Sequence, residues 1–153
     1  MLKFRVYIDT SVIGGCFDDE FGKYSNLLFN DFILGKKIAV VSNLTLKELK
    51  QAPEKVRKKF DEVPKECIEF VGLTEEAEEL AQKYIEEEVI SSNHLLDAEH
   101  IAVATVEKAD IVVSWNFKHI VNIHKIRGFN SVNLKEGYQL IEIRTPMEVI
   151  NED

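Results

Sequence analysis

Residues 4–11 read Phe-Arg-Val-Tyr-Ile-Asp-Thr-Ser, a short apolar run that ends abruptly on polar residues. Such runs are typical of β-strands buried within a parallel sheet. Further strand-like runs lie at residues 38–41, 67–71, 111–113 and 139–143, with helix-like segments between them. Short strands separated by helices predict an α/β fold, a three-layer α/β/α sandwich with a mostly parallel central sheet.

Glycine and capping residues predict several boundaries of these elements. The glycine pair at residues 14–15 indicates a loop. Gly128 is expected to end a helix over residues 117–126. Asn93 is expected to cap a helix over residues 94–108, the most helix-like stretch of the chain.

The chain has 153 residues, of which 45% are hydrophobic and 30% are charged. This length predicts one domain, over residues 1–153, that can bury a core without a disulfide or metal. No apolar run reaches the ~18 residues of a membrane span, and the opening does not resemble a signal peptide. Cys16 and Cys67 are too widely spaced to read as a zinc-binding pair. We therefore expect an intracellular protein of the cytoplasm.

The charge is acidic overall but unevenly distributed. Nineteen Lys and Arg against 27 Asp and Glu give a formal net charge of −8, which would repel nucleic acid at long range. Residues 47–59 nevertheless contain six basic and two acidic residues, whereas residues 75–88 contain seven Glu and one Lys. Both runs can be read as solvated helix surface, and the first can also be read as a contact for phosphates.

Three carboxylates occupy positions where the predicted sheet would gather ligands. Parallel sheets bind ligands at the carboxyl ends of their strands. Asp9 directly follows the first strand, Glu48 lies one helical turn beyond the second, and Asp97 shares a helix face with the apolar Ile101 and Ala104. A carboxylate on an apolar face costs several kcal/mol unless it is paired or holds a cation. Together the acids form an all-oxygen set that suits Mg²⁺ or Mn²⁺.

Each acid also has a simpler interpretation. Asp9 could be a turn or capping residue, Glu48 a solvated helix residue, and Asp97 a stabilising acid in the first turn of a helix. From the residues alone, a metal site and a purely structural role remain open.

The sequence resembles the PIN domain, and most closely the VapC-type toxins of prokaryotic toxin–antitoxin pairs. The resemblance begins with Tyr-Ile-Asp-Thr-Ser-Val and spans nearly the whole chain in the family's order. It rests on residues 7–12, 46–49, 97–104, 112–120 and 143–146.

This resemblance implies a metal-dependent endoribonuclease that hydrolyses RNA phosphodiester bonds. Asp9, Glu48 and Asp97 correspond to the acidic residues that bind Mg²⁺ or Mn²⁺ in the family, and Ser11 to the small polar residue beside the first acid. An antitoxin protein is the implied partner. A homodimer is also implied, and the helix over residues 24–34 could supply its interface.

The chain departs from the family pattern after the last core strand, where one or two further acids are usual. Asn116 and His119 stand there instead. Asn116 can offer a carbonyl oxygen but no charge, so a second metal ion would bind weakly and catalysis would be slowed. The departure leaves open an alternative, a PIN-fold module that binds RNA or protein but hardly cleaves.

The basic segment could carry RNA beside the acids, through Lys47, Lys50, Arg57, Lys58 and Lys59. Contacts of this kind with phosphates give steep salt dependence and little sequence preference.

A phosphotransfer enzyme or receiver domain would also place an Asp after the first strand. Ser11 stands where the haloacid-dehalogenase pattern requires a second Asp, and the acid pair and Lys of a receiver domain are missing. These classes are therefore disfavoured.

Overall fold

The computed structural model describes residues 2–150 and contains a five-stranded sheet. The strands are β1 (Arg5–Ile8), β2 (Ile38–Ser42), β3 (Ile68–Val71), β4 (Ile111–Val113) and β5 (Glu142–Arg144). Their order across the sheet is β3-β2-β1-β4-β5, and every neighbouring pair is parallel. The predicted α/β fold with a parallel central sheet is confirmed.

Eight α-helices accompany the sheet within residues 2–150, and none of them is long and apolar enough to cross a membrane. The helices are α1 (Thr10–Gly15), α2 (Gly22–Ile33), α3 (Asn43–Lys50), α4 (Glu54–Asp61), α5 (Glu75–Glu86), α6 (Leu95–Val106), α7 (Ile123–Lys135) and α8 (Pro146–Val149).

The sheet is buried on both faces because successive residues of a strand point to opposite sides. Tyr7 packs with Ile101 of α6 and Phe129 of α7, in a core that α5 also joins. Val6 and Ile8 pack into a second core with residues of α1, α2, α3 and α4. The chain therefore has helix, sheet and helix layers, which confirms the predicted three-layer sandwich.

The predicted loop at residues 14–15 is wrong, because both glycines lie in α1. A Cβ atom on Gly15 would stand 2.6 Å from Ser25 Oγ and 2.7 Å from Trp115 Nε1. The glycine is thus required where α1 packs closely on α2 and on the loop after β4, and it does not break the helix.

The helix predicted over residues 117–126 is also misplaced. Residues 117–122 form turns, and Gly128 lies inside α7, where an added Cβ would approach Val89 Cγ1 to 2.7 Å. Asn93 does not cap α6: it lies in a 3₁₀ turn, Ser92–His94, and His94 occupies the capping position without a side-chain bond. Close packing explains Gly128, whereas the extra turn explains Asn93.

Candidate functional site

Asp9 follows β1 directly and is a nearly buried acid, with 7% of its surface exposed. Both of its oxygens accept a hydroxyl hydrogen bond, Oδ1 from Ser11 at 2.5 Å and Oδ2 from Ser114 at 2.6 Å. Within residues 2–150, no Lys or Arg forms an ion pair with it. The negative charge is therefore held by hydroxyl donors and not by a neighbouring cation.

The loop after β4 is bonded to the same two serines. The backbone N–H of Trp115 donates to Ser11 Oγ at 3.0 Å, and that of Asn116 donates to Ser114 Oγ at 3.0 Å. The carboxyl ends of β1 and β4, which are neighbours in the sheet, are thereby fixed to each other.

Asp97 lies in the first turn of α6 and is half-buried. Burial raises the pKa of Asp97, and the negative charge of Asp9 raises that pKa further. The nearby His100, His119 and His94 act in the opposite direction. The influence of Asp9 indicates that the two carboxylates lie at the same edge of the molecule.

Asn116 joins Asp97 to the loop after β4. Its Nδ2 donates to Asp97 Oδ1 at a long 3.4 Å, and its Oδ1 accepts the backbone N–H of His119 at 2.9 Å. The His119 ring stacks on the ring of His94, with 3.6 Å between ring centroids. Asn116 therefore shapes this loop, and its carbonyl oxygen is already engaged.

Glu48 projects from α3, the helix that follows β2, with a third of its side chain exposed. Its Oε1 accepts a hydrogen bond from Thr10 Oγ1 at 3.2 Å and lies 2.9 Å from His100 Nε2. Glu48 is thus tied to the start of α1 and to α6, the helix that carries Asp97.

The three acids lie beside the ends of neighbouring strands, but each is held by partners of its own. Among residues 2–150, no three His, Cys, Asp or Glu side chains are close enough together to hold one ion as they stand. Carboxylate oxygens nevertheless suit Mg²⁺ and Mn²⁺ by their chemistry. As they stand, the three acids of the described chain therefore do not form a complete ion site.

Part of the predicted basic surface is exposed. Lys47 and Lys50 project into solvent from α3, on either side of Glu48. Lys58 is exposed on α4 and is 3.3 Å from Glu54. A groove of about 500 Å³ separates the two helices.

The structure argues against Lys59 as part of this surface. Its side chain is only 15% exposed, lies over the Phe29 ring and is 3.7 Å from Glu62. Arg57 is half-buried and donates from Nη1 to the carbonyl oxygen of Ala52. The basic run over residues 47–59 did not indicate that the side chains of Arg57 and Lys59 are partly buried.

Sequence reasoning missed His100, which is 2% exposed and joins Glu48 to the core. A signal was available, because His100 stands three residues after Asp97 in an apolar segment of the helix. A polar residue in such a segment must have a buried partner. The partner, Glu48, is 52 residues away in the chain, so the sequence alone could not identify it.

No known protein family and no curated protein matches this chain in sequence. The fold, in contrast, is similar to solved structures. The structure of VapBC2 from Rickettsia felis, bound to a DNA fragment from their promoter, matches with a TM-score of 0.54 at 17% identity. The match covers 93% of this chain and 98% of that chain.

A second similar structure is VapC20 from Mycobacterium tuberculosis, described as a toxin that cleaves the sarcin–ricin loop. It matches with a TM-score of 0.55 at 14% identity, over 89% of this chain and 98% of that chain. At these identities the likeness shows the fold alone. The chain has the fold of VapC toxins, as the resemblance to the PIN domain implied.

Proposed function

We propose that this chain is a metal-dependent endoribonuclease of the cytoplasm, the toxin of a toxin–antitoxin pair. The observation that carries the proposal is the position of three acids on a VapC-like fold. Asp9 and Glu48 follow the neighbouring strands β1 and β2, and Asp97 opens the helix that leads into β4. An edge lined with carboxylates suits divalent cations and, through them, phosphate groups.

The likeness to VapC20 supports cleavage of RNA over binding alone, because that toxin is described as cleaving the sarcin–ricin loop. The alternative of a PIN-fold module that only binds RNA or protein rests on Asn116. In the structure this side chain has a role in the loop after β4 and does not displace any of the three acids.

Asp9 and Asp97 would hold the divalent ion, with Glu48 as the third acid. When bound, a Mg²⁺ or Mn²⁺ ion supplies positive charge for the phosphate and lowers the pKa of a bound water. We infer one strong site and a weaker second one, because Asn116 adds no charge to the set.

The chain's own residues prepare this edge for a phosphodiester. The hydroxyls of Ser11 and Ser114 fix the direction of the Asp9 carboxylate. Glu48 Oε2 has no hydrogen-bond partner among residues 2–150, so it is free to accept a hydrogen bond from the attacking water. Lys47 and Lys50, exposed on the same helix as Glu48, attract the RNA backbone.

An antitoxin and a second copy of the chain are the partners that we propose. The VapBC2 structure, determined on promoter DNA, supports a complex between toxin and antitoxin. The homodimer is proposed from the resemblance alone.

Cleavage of a sarcin–ricin stem-loop RNA in Mn²⁺ or Mg²⁺ tests this function. We expect Asp9→Asn and Asp97→Asn to abolish cleavage, and Asp19→Asn, which changes an exposed acid, to leave it unaltered. Chelation of the metal should stop the reaction and re-addition should restore it. Cleavage that survives in both Asp9→Asn and Asp97→Asn would reject the proposal.

A further inference from the structure

His100 belongs to a continuous chain of buried hydrogen bonds that ends on Glu48. The distances are 2.7 Å from Ser42 Oγ to the Tyr7 hydroxyl, 2.6 Å from that hydroxyl to His100 Nδ1, and 2.9 Å from His100 Nε2 to Glu48 Oε1. Tyr7, Ser42 and His100 are all buried, with at most 2% exposure. Bulk water therefore does not reach these three side chains.

The direction of each bond follows from its neighbours. Ser42 Oγ accepts the backbone N–H of Thr45, and its own proton is free for the Tyr7 oxygen. Tyr7 therefore accepts a hydrogen bond from Ser42 and can donate its own phenol proton to His100 Nδ1. A neutral ring whose Nδ1 accepts must carry its proton on Nε2. That proton faces the carboxylate of Glu48.

The chain of bonds also links the segments that bring the three acids together. Tyr7 lies on β1, two residues before Asp9, and His100 lies on α6, one helical turn after Asp97. Glu48 on α3 is the end point. A free glutamate loses rotamer entropy when it is ordered, and partners that order it in advance remove that cost from ligand binding.

We propose that His100 is a positioning residue that holds Glu48 Oε1, and that Tyr7 selects the tautomer with which it does so. Thr10 holds the same oxygen, at 3.2 Å. Oε2, which has no hydrogen-bond partner among residues 2–150, is thereby left available to a metal ion or a water. This proposal rests on the proposed function, because it concerns the readiness of Glu48 for that chemistry.

A matched pair of variants separates this role from general stability. Tyr7→Phe removes the hydroxyl that bonds His100, whereas Tyr84→Phe removes another buried hydroxyl, bonded to Asn133 between α5 and α7. Both tyrosines are fully buried. We expect the two variants to lose similar stability. Only Tyr7→Phe should weaken Mn²⁺ binding, measured by calorimetry, and slow RNA cleavage, each about tenfold.

Two substitutions of His100 test whether a hydrogen-bond donor is needed at the position of Nε2. His100→Gln can place an amide N–H near the position of Nε2, so we expect Mn²⁺ affinity to stay within a few fold of the wild type. His100→Leu should lower the Mn²⁺ affinity about tenfold. Equal loss in both variants would show that the donor at Nε2 is unimportant.

Long-range ¹H–¹⁵N NMR of the imidazole rings in the full chain tests the tautomer directly, with the His100 signals assigned through His100→Gln. We expect a proton on Nε2 and none on Nδ1 without any metal, and we expect Tyr7→Phe to alter this pattern while Tyr84→Phe does not. A proton on Nδ1 would overturn the assignment. If the wild type binds Mn²⁺ and cleaves RNA but Tyr7→Phe and Tyr84→Phe behave alike, only the positioning role fails. A wild type that does neither overturns the proposed function, and the role of His100 with it.

Discussion

Asp97 carries a charge that the fold accepts at a cost. Burial raises the pKa of Asp97 above the ordinary 3.8, so its ionised form is less stable in the folded chain than in the unfolded one. Stability from this group is complete below the unfolded pKa and falls as the pH rises toward the folded pKa. A charge that destabilises the fold is expected at a residue that binds a cation, and it is not expected at a residue that only supports the fold.

Asp97→Asn should therefore stabilise the metal-free protein at pH 7, as measured by urea unfolding. The gain should vanish well below pH 3.8, where Asp97 is protonated in both the folded and the unfolded chain. Added Mn²⁺ should stabilise the wild type and not the variant. A variant that is less stable than the wild type at pH 7 would contradict this account of Asp97.

Asn116→Asp tests whether the missing fourth acid limits metal binding. The new carboxylate still accepts the His119 N–H but loses the donor to Asp97 and adds a like charge beside it. We expect the free energy of unfolding without metal to fall by about 1 kcal/mol.

In the same variant we expect Mn²⁺ affinity to rise about tenfold, because a charged ligand replaces a neutral one near the ion. Asn30→Asp, which adds an acid at an exposed position on α2, is the control and should change neither quantity. Unchanged Mn²⁺ affinity in Asn116→Asp would remove this residue from the site.

At the level of elements, the two glycines of α1 provide a direct comparison. An added Cβ on Gly15 would meet Ser25 Oγ and the Trp115 ring, whereas one on Gly14 would meet nothing within 4 Å. Gly15→Ala should lower the free energy of unfolding by about 2 kcal/mol, as overpacking does. Gly14→Ala should raise it by about 0.5–1 kcal/mol, through helix propensity.

Gly15→Ala should also slow RNA cleavage, because Trp115 donates its backbone N–H to Ser11, which holds Asp9. Urea unfolding and the cleavage assay check both effects. Equal stability of the two alanine variants would contradict the close packing of α1.

The central strands β1, β2 and β4 could be predicted from sequence because each is a short run of mostly apolar, buried residues. The helix boundaries near Gly15 and Gly128 could not be predicted. Each glycine is required by close packing against another part of the chain, Gly15 against Ser25 and Trp115, and Gly128 against Val89. Glycine serves both as a helix breaker and as a site of close approach, and sequence does not distinguish the two uses.

For the whole molecule, the position of the acids at one edge of the sheet could be predicted, because the topology brings the carboxyl ends of parallel strands to one edge. Their partners could not, since bonds such as Asp9 to Ser114 join residues 105 positions apart. The opposite charges of α4 and α5 also fall on opposite faces of the sheet. A net charge of −8 therefore does not describe the surface near Glu48.

This asymmetry predicts how RNA binds. Lys47→Gln, Lys50→Gln and Lys58→Gln together should weaken RNA binding strongly and reduce its salt dependence. The control changes Lys36, Lys65 and Lys108 to Gln, and these residues are exposed near the amino ends of β2, β3 and β4. Both triple variants therefore have the same net charge. Fluorescence polarisation at several salt concentrations measures both. Equal losses in the two triple variants would reject a local basic surface.

The central claim is that Asp9, Glu48 and Asp97 serve one divalent ion, and anomalous diffraction from a crystal soaked in Mn²⁺ tests it most directly. We predict an anomalous peak with Asp9 and Asp97 oxygens within bonding distance, Glu48 beside it, and loss of the peak in Asp97→Asn. A Mn²⁺-soaked crystal with no peak between these carboxylates, from protein that still cleaves RNA, would contradict the claim.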